Sequence, residues 1–190
     1  MSEKYVAHVS SSGDEQPLVD HLRNTAHMAS AFAESFGGEE LAYQSGLYHD
    51  IGKYSSAGQK RMRHPDSTAK VDHSTAGAIE TAKCSMIQPF VIAGHHGGLP
   101  DMGTKTDIDN GTLCARIKKH LEHELDYTAC WQEIPYPSAI SSPAWLSNSD
   151  KFSVQFLTRM IFSCLVDADF LDTEAFFSGH VDRGPVTSVS

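Results

Sequence analysis

His49 and Asp50 stand side by side and are followed by Ile51, Gly52 and Lys53. An adjacent imidazole and carboxylate at a helix end can put a neutral nitrogen and an anionic oxygen on one divalent cation. A lone His-Asp dipeptide is ordinary on a protein surface, so its weight comes from what stands around it. His21 lies on a predicted first helix, next to Leu22. His73 opens a predicted third helix, and His95-His96 close a short apolar one. The Gly97-Gly98 turn after them lets backbone and substrate come close. Asp169 falls four residues after Leu165 and eight after Ile161, so it shares their inward helix face. A carboxylate on an apolar face needs a partner, and a metal is a good one.

The elements that must position these side chains read as helices. From Pro17 onward Leu18, Leu22, Ala26, Ala29, Ala33 and Phe36 recur at three and four residues, one stripe of an amphipathic helix. Gly37-Gly38 closes it. A second helix is predicted from Glu39 to about Asp50, its acidic start suiting the helix dipole. Residues 52–72 show no clear period and read as a loop with room for a short helix. A helix starts near His73 and runs through Ala76, Ala78, Ile79 and Ala82, and Pro89–Ala93 starts another that breaks at Gly94. Residues 101–110 read as a polar loop, Leu113–Tyr127 as a helix charged on one side, and 132–148 as a long surface loop. Phe152–Leu171 is a strong helix. No segment alternates at period two, so the class is all-α: a helical bundle with long loops and a polar tail. The division expected is an N-terminal arm at 1–16, one domain at 17–174, and a tail or linker at 175–190.

At 190 residues the chain has the length of one domain and buries a core without disulfide staples. Its 15 Lys and Arg against 24 Asp and Glu give a net charge of −9. That argues against a free-standing nonspecific DNA binder, which needs a basic surface, but not against a nuclease that is handed its substrate or one whose metals supply the positive charge. Cys84, Cys114, Cys130 and Cys164 form no C-x-x-C pair, so they read as reduced thiols. The sequence offers no apolar membrane span, and Met1–Tyr5 lacks a signal-peptide core; the expected location is cytoplasmic. Of the 11 histidines, His8 and His180 fall in the predicted arm and tail, His120 and His123 on a charged helix face, and His27 off the His21 face. His64 ends the basic run Lys60-Arg61-Met62-Arg63, which reads either as a solvated face or as a guide for a nucleic-acid strand.

The ordered pattern H…HD…H…HH…D resembles the HD superfamily of metal-dependent phosphohydrolases. The longer strings are Tyr48-His49-Asp50-Ile51-Gly52-Lys53-Tyr54-Ser55, Val71-Asp72-His73-Ser74-Thr75-Ala76-Gly77-Ala78, Gly94-His95-His96-Gly97-Gly98-Leu99-Pro100-Asp101 and Leu165-Val166-Asp167-Ala168-Asp169-Phe170-Leu171-Asp172. They resemble the HD nuclease domain of type I CRISPR systems, over roughly Leu18 to Glu174. That resemblance implies two divalent transition metals (Mn, Fe, Co or Ni, with Mg possible). His21, His49, Asp50 and Asp169 would hold the first; Asp50, His73, His95 and His96 would hold the second, with Asp50 shared. It selects Asp169 over Asp167 and leaves Asp172 as a supporting or capping group. Asp50 and Lys53 would be catalytic, and Lys53 and Ser74 would face substrate; the alternative for Lys53 is a solvated loop lysine.

The activity so implied is cleavage of single-stranded DNA in CRISPR interference. The implied partners are a superfamily 2 helicase, fused or separate, and a guide-RNA surveillance complex. No Gly-x-x-x-x-Gly-Lys-Ser/Thr string is present, so this sequence supplies no P-loop of its own. Two other readings use the same ligands: a phosphohydrolase of nucleotides or cyclic nucleotides, and a decayed domain kept for interaction. All ligand positions being filled counts against the last.

Overall fold

The stripe from Leu18 to Ala33 becomes α1, Leu18–Ala33, with Leu18, Leu22, Ala26, Ala29 and Ala33 fully buried. This is seen in a computed structural model that describes residues 5–67, 69–108, 111–123, 126–141, 143–146 and 151–178. A 3₁₀ turn, Glu34–Phe36, ends on Gly37 at φ 72°, a left-handed position that glycine takes without strain. α2, Glu39–Tyr48, then packs along α1. The two backbones touch where both residues are small: a Cβ on Gly46 would stand 2.6 Å from the Ala26 Cα.

After a 3₁₀ turn at Ile51–Tyr54 comes α3, Ser56–Arg63, in a stretch whose residues show no clear period. Ser55 starts it by accepting a hydrogen bond from the Gly58 amide at 3.1 Å. α4 is Ser74–Thr81, with the Asp72 carboxylate accepting from the Thr75 amide at 3.1 Å and its hydroxyl at 2.6 Å. α5, Gln88–Gly94, carries Pro89 in its first turn, where a missing amide is tolerated. α6 is Leu113–His123 and α7 is Lys151–Ser178.

The core lies between α1, α2 and α7, with α5 joining α7 and α4. Leu157, Ile161, Leu165 and Ala168 of α7 are fully buried, the three larger side chains contributing about 1.5–3 kcal/mol each. The architecture is all-α, as the sequence predicts. Among the described residues no helix is long and apolar enough to cross a membrane.

Two expectations need correction. The arm read as loose holds a small antiparallel pair, β1 (Val6–Val9) and β2 (Glu15–Pro17). Val6 and Ala7 are fully buried, and Gln59 of α3 bonds both the Val6 amide (3.0 Å) and its carbonyl (3.1 Å). Strands this short show no period, and a side chain 53 residues further along the chain completes their hydrogen bonding. The last helix also runs on to Ser178, past the predicted Leu171 and into the segment assigned to the tail. Residues 1–4 and 179–190, with His180, lie outside the described residues, as do the side chains of His120 and His123.

Candidate metal centre

The close packing of α1 on α2 and α7 brings His21, His49 and Asp169 together. His21 and His49 are fully buried, and Asp169 Oδ1 lies 3.3 Å from His21 Nε2 and 3.5 Å from His49 Nε2. Asp167, the rejected alternative, is exposed. A second group forms where α4 begins and α5 ends. His73, His95 and His96 converge there with Asp50, and His73 Nε2 stands 2.8 Å from His96 Nε2. Within each group the ligand atoms lie within 4.8 Å of one another, a spacing at which one ion could be held.

Asp50 joins the groups with its two oxygens. Oδ2 faces His49 Nε2 at 3.5 Å and His21 Nε2 at 3.7 Å. Oδ1 faces His73 Nε2 at 3.3 Å and His95 Nε2 at 3.4 Å. The carboxylate is buried just after α2 ends, where the chain turns at φ −119°, ψ 18°. Two close approaches of glycine hold the surroundings. Gly52 donates its amide to the His73 carbonyl at 3.1 Å, and a Cβ there would lie 2.6 Å from the His73 Cα. Gly77 of α4 leaves room for the Tyr48 carbonyl, which any Cβ would strike.

The rings are aimed by their other nitrogens. Nδ1 of His21 donates to Asp172 Oδ2 at 2.6 Å, of His49 to the Gly46 carbonyl at 2.7 Å, and of His95 to the Ile92 carbonyl at 2.7 Å. Nδ1 of His73 donates to the Val71 carbonyl at 3.1 Å. In that tautomer each Nε2 presents a lone pair inward, the arrangement that serves a metal ligand. Asp172 is itself fixed by Gln16 Nε2 at 2.7 Å and Asn24 Nδ2 at 2.9 Å.

The electrostatics ask for a cation. Nε2 of His21, His49 and His95 and Oδ1 of Asp50 are buried without a hydrogen bond, a costly state for polar atoms unless something binds them. Burial opposes the charge on Asp50, yet Lys53, His49, His73 and His21 hold its carboxyl well below the usual range. Asp169, despite burial, is likewise held low by His21 and His49. Burial also opposes an imidazolium at His21, but Asp169, Asp172 and Asp50 outweigh it and raise that ring to about 10. Protons at these rings and a metal compete for the same lone pairs. In the outer group burial prevails at His73, which it lowers, and at the exposed His96, which it brings to about 4, whereas at His95 burial is outweighed by Asp50, which raises that ring. The donor set, mixed imidazole and carboxylate, fits a divalent transition metal.

Comparison with known families matches residues 18–125 to the HD domain, more than half of the chain. The chain belongs to the HD family. Its membership points to metal-dependent phosphohydrolase chemistry, and the His/Asp cluster fits a metal site. No individual curated protein matches the chain. The HD match ends before α7, so Asp169 joins the site by its place in the fold.

Three side chains stand differently from the sequence reading. Lys53 is neither solvated nor directed outward: it is buried, with Nζ 2.6 Å from Asp50 Oδ2 and 3.4 Å from the Ala7 carbonyl. Ser74 is buried beside Asp72 and takes a hydrogen bond from Arg116 at 2.9 Å. His8, assigned to the N-terminal arm, sits on β1 with its ring 5.1 Å from that of His21 and Nε2 3.3 Å from Thr173 Oγ1. Burial, with Lys53 and His21 nearby, lowers its pKa to about 3. Only the pairing of β1 with the bundle, invisible to periodicity, could have brought it in.

Proposed function

We propose that the protein is a two-metal endonuclease that hydrolyses single-stranded DNA in type I CRISPR interference, beside a superfamily 2 helicase and a guide-RNA surveillance complex. The observation that carries the two-metal reading is the split of Asp50, one oxygen toward each histidine group. The choice of DNA rests on the four sequence strings. Two divalent ions bound there would polarise a phosphodiester and supply a nucleophile at neutral pH.

The chain's own residues prepare that chemistry. Asp172 and the Gly46, Ile92 and Val71 carbonyls lock the ring orientations. Lys53 balances the buried Asp50 carboxylate; contact with a phosphate, as the resemblance implies, requires Lys53 to leave that pair. Ser74, if it faces substrate, does so from the His73 side. His73 and the exposed His96 mark the side from which a strand reaches the site. With a net charge of −9 the surface does little to attract DNA, so delivery falls to the partners.

The test is cleavage of circular single-stranded DNA by wild type and Asp50→Ala, with EDTA, Mg²⁺, Mn²⁺, Co²⁺ or Ni²⁺ in turn. Cutting of the circle by wild type alone, with metal, is the expected result. No cutting under any metal, with hydrolysis of nucleotides or cyclic nucleotides instead, would overturn the DNA assignment.

A further inference from the structure

Arg116 lies on α6 and belongs to neither ligand group. Its guanidinium reaches three acceptors. One nitrogen bonds the Ala93 carbonyl, and the other bonds the Ser74 hydroxyl at 2.9 Å and the Asp72 carboxylate at 3.3 Å. Asp72 and Ser74 flank His73, while Ala93 stands two residues before His95. The fork therefore ties the start of α4 to the end of α5, the two places from which the second group's histidines project.

We propose that Arg116 is a positioning residue for the second metal site, setting the distance between His73 and the His95-His96 pair. The inference rests on the two-metal reading above. Those histidines need an external brace. With His73 Nδ1 donating to the Val71 carbonyl, the neutral His96 can donate its Nε2–H to the His73 Nε2 lone pair 2.8 Å away. An ion that takes both lone pairs replaces that bond, and the spacing it then needs is held by hydrogen bonds from outside the pair. A planar guanidinium with five donors in fixed directions suits the task, and a lysine ammonium does not replace it. Asp72 is a firm anchor because Thr75 grips the same carboxylate through its amide and hydroxyl. Arg116 is half-buried, its side chain 19% exposed; its bonds to Ala93 and Ser74 are part-buried, while the bond to Asp72 lies at the surface.

The test is titration of the full chain with Mn²⁺ alone, by calorimetry and electron paramagnetic resonance, alongside thermal unfolding. Wild type is expected to take up two ions. Arg116→Ala should keep the first and weaken the second by about 10- to 100-fold. Arg116→Lys keeps the charge facing Asp72 and guards against misfolding of the alanine variant. It should unfold near the wild-type temperature and still bind the second ion about tenfold more weakly. Wild-type affinity at both sites in both variants would overturn the inference. So would parallel loss of both sites together with stability, which marks a merely structural role. One ion in the wild type itself would overturn the two-metal reading, and the inference with it.

Discussion

His21 and Asp169 lie within α1 and α7 and His49 just past α2, three helices packed on one another, whereas His73, His95 and His96 stand where α4 begins and α5 ends, with His95 buried and His96 exposed. In the first group the spacing is a by-product of core packing: Ala26 against Gly46 sets it, as do Ile161, Leu165 and Ala168 of α7. In the second group it is set by hydrogen bonds, from Gly52 to His73 and from Arg116 to both helix ends. Substitutions in the inner group therefore disturb the core, whereas in the outer group the exposed His96 can be changed without touching it. Asp50 belongs to both regimes.

The largest effect should come from removing what the regions share. Asp50→Ala strips a ligand from each group, and hydrolysis of a generic phosphodiester such as bis(p-nitrophenyl) phosphate should fall to background. Substantial residual activity would mean that one group works alone. Next come substitutions that separate the groups. Asp172→Asn should weaken the inner ion about 10- to 100-fold and spare the outer one, read by Mn²⁺ titration. Gly52→Ala should do the reverse, because its methyl group pushes His73 aside. Equal loss at both sites in either variant would break the comparison.

Stability sharpens it further. In metal-free protein His49→Ala removes a fully buried side chain and should destabilise by about 2 kcal/mol, against about 0.5 kcal/mol or less for the exposed His96→Ala. Urea melts in EDTA would show it. The smallest effect concerns the thiols. Burial, with Glu80 nearby, raises the Cys130 thiol to about 12, so it stays protonated at neutral pH. Iodoacetamide should label the partly exposed Cys84 and Cys114 well before Cys130.

The helices that carry the candidate ligands were legible because each has an apolar stripe or a glycine boundary, and the clustering of the candidate residues because their types stand at those boundaries. Asp169 was legible from its spacing to Ile161 and Leu165, and Asp172 from its place one turn on. Other features depend on contacts between segments distant in the chain. β1 is completed by Gln59, His8 reaches His21 only through that pairing, and Arg116 acts on residues 42 and 23 positions away. The place of Lys53 depends on such a contact too: a loop lysine is ordinarily solvated, and nothing local announces the buried carboxylate that draws it inward.

Anomalous diffraction from crystals grown with Mn²⁺ would locate the ions outright. Two peaks about 3.5–4 Å apart are expected, with the Asp50 carboxylate between them. One peak, or two that do not share Asp50, would contradict the two-metal reading.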